Sequence, residues 1–146
     1  MKPETAPGPE DRLVMKATAG LLAGGQALTL AAHFAALFTV LGWWLSPSQT
    51  HPLIGLLWAG GLLLWPVQCW LGFRIAIDAV LFRSLDPSEL PAFDTWLQGW
   101  GWSPPSAPRT PQQRGEGALK LLRRQGIVLL LQLLALVLGS VVQFLG

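Results

Sequence analysis

Apolar positions along the chain fall into three long unbroken blocks, 21–45, 53–73 and 126–145, and not into the alternation of a half-buried strand. About 20 residues of α-helix rise about 30 Å, the thickness of bilayer hydrocarbon, so each block predicts a transmembrane helix. The first block closes on Trp43 and Trp44, whose amphipathic rings favour the headgroup layer. A loop over 46–52, with Pro47 and Pro52, is long enough only to reverse the chain, so the first two spans form an antiparallel hairpin. The second block continues through Arg74 to Arg83 without a breaker, which predicts a helix over 53–83 with a kink where Pro66 removes a backbone hydrogen bond.

The polar stretches complete the plan. Residues 1–20 read as a polar tail. Over 84–102, Asp86-Pro87-Ser88-Glu89 has the cap, first-turn proline and third-position acid of a helix start. Leu90, Phe93, Leu97 and Trp100 then share one helical face, which predicts a short amphipathic helix. A proline-rich linker over 103–115 follows, and 116–146 holds a basic juxtamembrane segment and the third span. The expected fold is an all-α membrane protein of three transmembrane helices with the amphipathic helix between the second and third.

Lys and Arg set the expected orientation. The first loop has neither, whereas the tail carries Lys2, Arg12 and Lys16, and the region after the second span carries Arg83, Arg109, Arg114, Lys120, Arg123 and Arg124. The N-terminus and the amphipathic helix are therefore expected in the cytoplasm, and the first loop and the C-terminus on the opposite side.

Composition removes several function classes. Hydrophobic residues make up 51% and charged residues 12%, against about a quarter charged in a soluble domain, which excludes a water-soluble globule. Cys69 is the single cysteine, so no internal disulfide and no Cys-rich metal site forms. The net charge of +2 resides on residues that flank the apolar blocks, which points to topology and not to nucleic acid. The first residues lack the basic-then-apolar pattern of a cleaved leader, so no processing is expected.

Few residues offer chemistry. His33 lies about 15 Å inside the span that ends at Trp43 and Trp44, a depth at which an ionisable side chain faces a partner or a cavity; haem, quinone and proton-relay roles are the functional readings, and a hydrogen-bonded imidazole the plainer one. Gln26, Thr29 and His33 share a helical face, and Gln68 and Gln132 fall at comparable depth, which predicts an interhelical polar cluster. Small residues at spacings of four, Gly20 with Gly24, Ala27 with Ala31 and Ala35, and Gly55 with Ala59, are the expected helix-packing positions. Arg74 and Asp78, four residues apart, are expected to pair where the second helix leaves hydrocarbon.

The amphipathic segment carries acids and no Lys or Arg, so its face of Leu90, Phe93, Trp96, Leu97 and Trp100 is expected to dock a protein partner. The cluster of Arg114, Lys120, Arg123 and Arg124 is expected at anionic lipid headgroups. The chain has no phosphate loop, no His-Glu-x-x-His, no serine elbow and no mid-span carboxylate, so no catalytic residue, metal site or resident cofactor is assigned. A non-catalytic accessory or assembly subunit of a bacterial inner-membrane complex is the expected function, with other membrane subunits as partners. A self-associating pore or transport component, holin-like, is the first alternative and a haem- or quinone-binding subunit through His33 the second.

Overall fold

The computed structural model describes residues 8–45, 52–99 and 110–145. The described chain is all-helical: α1 (Pro9–Ala23), α2 (Gly25–Leu45), α3 (Pro52–Ser84), a 3-10 turn (Pro87–Glu89) leading into α4 (Leu90–Gly99), and α5 (Pro111–Leu145). α1 and α2 run on through Gly24, so the chain presents three helices of 37, 33 and 35 residues, each long and apolar enough to cross a membrane. The loop after the first span, Trp100 and most of the proline-rich linker lie outside the described residues.

Helix begins earlier than the apolar blocks. α1 starts inside the stretch read as a tail: Pro9 occupies its first position, Glu10 and Asp11 its first turn, and Asp11 Oδ2 accepts a 3.0 Å hydrogen bond from the Gly8 N–H. A proline without an N–H and acids near the positive helix end both favour a start there. α5 opens within the expected linker by a reciprocal cap, in which the Gln113 N–H donates to Thr110 Oγ1 and the Thr110 N–H to Gln113 Oε1, each at 3.3 Å. α3 continues past Pro66 to Ser84.

These extensions bury one another. Met15, Ala19 and Leu22 of α1, Ile75, Ala79 and Phe82 of α3, and Ala118 of α5 form an apolar core that Leu90, at the start of α4, closes. None of these sparse apolar positions makes a core alone, and together they make one. In the apolar half the contacts use small residues. Trp58 of α3 is buried against Gly42 of α2 and Gly139 of α5, and a Cβ on Gly42 would stand 2.6 Å from its indole.

Charge divides the bundle in two. Every Asp, Glu, Lys and Arg among the described residues lies in 8–24, 74–94 or 114–124, which the shared core gathers at one end. The remaining lengths, 25–45, 52–73 and 125–145, carry none, and each matches about 30 Å of hydrocarbon. They begin at one level: a Cβ on Gly25 would meet Ile75 Cγ2 at 2.8 Å and Gln125 Oε1 at 3.3 Å. The charged end is thus a three-helix extension, about four turns of α1 and of α5, beyond the length hydrocarbon requires.

Candidate functional site

The apolar half has a polar seam. Gln68 of α3 and Gln125 and Gln132 of α5 are fully buried. Gln125 Nε2 donates to Thr29 Oγ1 at 2.9 Å and to the Gly25 carbonyl at 3.4 Å, while the Thr29 hydroxyl donates to the Gly25 carbonyl at 3.0 Å. Gln68 Nε2 donates to the Gln125 carbonyl at 3.0 Å, and Gln132 Nε2 to the Ala32 carbonyl at 3.2 Å. Gly72 makes room for the approach, since a Cβ there would lie 2.5 Å from Thr29 Oγ1. The Oε1 atoms of the three glutamines and Trp58 Nε1 have no hydrogen-bond partner among the described residues. Neutral amides can hold helices together in hydrocarbon, and they exchange no proton near neutral pH.

Of the expected polar cluster, the seam contains Thr29, Gln68 and Gln132 but neither Gln26 nor His33, which are exposed on the outside of α2. Gln125 is its centre and was not among the expected members. Its position seven residues before Gln132, with Ala118 and Gly139 continuing the same buried stripe, was the available signal; proximity to Arg124 hid it as the end of a loop. His33 stands beside the seam and faces away from it. Its Nδ1 lies 2.7 Å from the Thr29 carbonyl oxygen, and its ring meets Trp65 edge-on at 5.9 Å between centroids.

Small residues divide in the same manner. Ala35 is buried, Ala31 and Ala59 are half-buried, and Ala27 is exposed. Gly20 and Gly55 have open space where a side chain would stand, and Gly24 meets only the carbonyl of Leu21 in its own helix. Close approach inside the bundle occurs instead at Gly25, Gly42, Gly72, Gly115 and Gly139.

At the charged end, ion pairs hold α4. Asp94 pairs with Arg114, both side chains largely shielded at 22% and 16% exposure, and Asp86 pairs with Arg12 at 2.9 Å in the open. Arg114 is therefore turned toward protein, whereas Lys120, Arg123 and Arg124 are exposed. Arg74 is exposed, and half-buried Asp78 lies in the field of both Arg74 and Arg114.

The 3-10 turn that leads into α4 is capped as its residues dictate: the Ser88 N–H donates to Asp86 Oδ1 at 3.3 Å and the Asp86 N–H to Glu89 Oε2 at 2.9 Å. The Ser88 N–H, with smaller help from the Ser88 hydroxyl and Arg12, holds the Asp86 carboxyl below the usual carboxylate range. Leu90 faces this chain's own core, Phe93 stacks on Trp96 at 5.9 Å, and Trp96 is exposed. The side chain of Leu97 lies outside the described residues, as Trp100 does.

No protein-family model, curated protein or solved structure matches the chain.

Proposed function

We propose that the chain is a non-catalytic accessory or assembly subunit of a larger bacterial inner-membrane complex, multi-pass, with its charged end in the cytoplasm. The observation that carries this reading is His33, a polar side chain exposed near the middle of α2 among exposed Leu30, Phe34 and Leu37. A polar group at that depth is costly against lipid and is ordinarily covered by protein. Gln26, exposed two turns nearer the charged end, extends the same demand, and exposed Gly20 and Ala27 offer close approach to another helix.

Orientation follows from the Lys and Arg gathered at one end, and Lys120, Arg123 and Arg124 there suit anionic headgroups. Phe93 and Trp96 on α4 suit a cytoplasmic part of the same complex. The competing reading is a self-associating pore, in which Gln26 and His33 of several copies line water. Native mass spectrometry after affinity purification in mild detergent separates the two. Assembly with unlike chains supports the subunit reading, and a homo-oligomer without them overturns it.

A further inference from the structure

We propose that the crease between α3 and α5, where their charge-free lengths begin, binds one anionic phospholipid with its phosphate between Arg74 and Arg124. The inference deepens the headgroup contact of the charged end; it rests on that end lying at a membrane face and not on assembly with other chains.

Packing between the two helices puts both arginines at one height and on one crease. Gln68 Nε2 donates to the Gln125 carbonyl at 3.0 Å, and a Cβ on Gly72 would lie 3.4 Å from Gln125 Nε2. Arg74, two residues beyond Gly72, and Arg124, one before Gln125, therefore stand within about 3 Å of the same height. Asp78, one turn on from Arg74, lies in the field of Arg114 on α5, so this edge of α3 turns toward α5. Arg124 shares an edge of α5 with Ala135, about three turns further on, whose Cβ is 3.8 Å from where one on Gly61 of α3 would stand. That edge turns toward α3. Lys120 lies one turn outward of Arg124.

Charge and apolar surface together select the ligand. Arg74, Lys120 and Arg124 are exposed and make no ion pair or hydrogen bond among the described residues, whereas Arg12 and Arg114, farther from hydrocarbon, are paired with acids. Asp78, the half-buried acid beside Arg74, offsets only part of this charge. The surplus favours a lipid of net negative charge over a zwitterionic one, and guanidinium groups from two helices suit the oxygens of one phosphate. Directly below, Trp70 is exposed one turn from Arg74, and Ile127 and Leu131 are exposed one and two turns from Arg124. An indole favours the headgroup boundary, and aliphatic side chains favour acyl chains. A free phosphate ion would use the cations alone, and a phospholipid uses both surfaces.

The test is native mass spectrometry of the full chain in nonionic detergent, titrated with dioleoylphosphatidylglycerol or dioleoylphosphatidylcholine. One phosphatidylglycerol should bind per chain, at least about fivefold more tightly than phosphatidylcholine. Arg74→Gln and Arg124→Gln should each weaken it by about fivefold, and Arg124→Lys, which keeps the charge, by less than about twofold. Arg123→Gln is the decisive control. It removes the same charge at the same depth, but one residue turns it about 100° around α5, away from the crease, so its effect should stay below about twofold.

A loss at Arg123→Gln equal to that at Arg124→Gln would reduce the contact to diffuse surface charge and overturn the inference. Equal binding of the two lipids would do the same. So would competition by glycerol phosphate at the concentration of the lipid, since the acyl surface would then contribute nothing. Each of these outcomes leaves the subunit reading in place, because none depends on another chain.

Discussion

Gln125 of α5 and Thr29 of α2 are joined by a 2.9 Å hydrogen bond that passes the bare α-carbon of Gly72 on α3. This one contact ties all three long helices where the charge-free lengths begin. It also separates two roles of Thr29, whose hydroxyl faces Gln125 and whose carbonyl faces the ring of His33. Inside and outside of the bundle meet at a single residue.

Gln125→Ala should therefore lower the stability of the isolated chain in detergent by about 1–3 kcal/mol, through loss of interhelical bonds and of a filled volume. Gln26→Ala, on the outer face, should stay within about 0.5 kcal/mol. Reversible unfolding in mixed micelles measures both, and equal effects would remove the seam as a stabilising feature.

Glycine substitutions should follow the internal contacts. A Cβ at Gly72 meets Thr29 Oγ1 at 2.5 Å, and Thr29 is β-branched with its hydroxyl engaged twice, so it yields poorly. Gly72→Ala is expected to cost about 1–3 kcal/mol. Gly55→Ala has open space and is expected to be neutral or to stabilise by up to about 1 kcal/mol. The same unfolding measurement in the isolated chain distinguishes them.

Attachment of α4 should depend on Arg114. Its pair with Asp94 is shielded on both sides, and Arg114→Gln leaves two acids, Asp94 and Asp78, without that guanidinium. A loss of about 1–3 kcal/mol in hydrogen-exchange protection over Leu90–Gly99 is expected, with the spans unaffected. Arg12→Gln, which opens the exposed pair with Asp86, should have a smaller effect on the same amides.

Acid should loosen the 3-10 turn before α4. The native Asp86 carboxyl titrates below its ordinary value because the ionised form accepts from Ser88. Its contribution is complete above the unfolded-chain value of about 3.9 and is lost as pH falls through the lower native value. Exchange at Ser88 and Glu89, referenced to Asp86→Asn at each pH, should lose its excess protection only below about pH 4. Unchanged excess protection through that window would show that the cap does not depend on ionised Asp86.

Reporter fusions after Thr50 and Gly146 should give non-cytoplasmic signals, and fusions at Met1 and Ser106 cytoplasmic ones, because Lys and Arg stay on the side of synthesis. A cytoplasmic signal at Gly146 is the result that defeats the orientation.

Block length and charge placement were legible without coordinates: three uncharged lengths of about 20 residues admit little besides spanning helices. The capped start at Asp86 was equally legible, since its residues bond to their own near neighbours. Rotation of each helix about its axis was not. Periodicity states which residues share a face, and Gln26, Thr29 and His33 do, but not whether that face turns inward; Gly72 on another helix admits Thr29 and leaves the other two outside. The same limit conceals the helices at Pro9–Ala23 and before Gln125, whose few apolar residues form a core only against each other. Local spacing thus determined which helices are long and apolar enough to cross, and packing between distant segments decided which side chains hold them together and which, like His33, remain outside the buried seam.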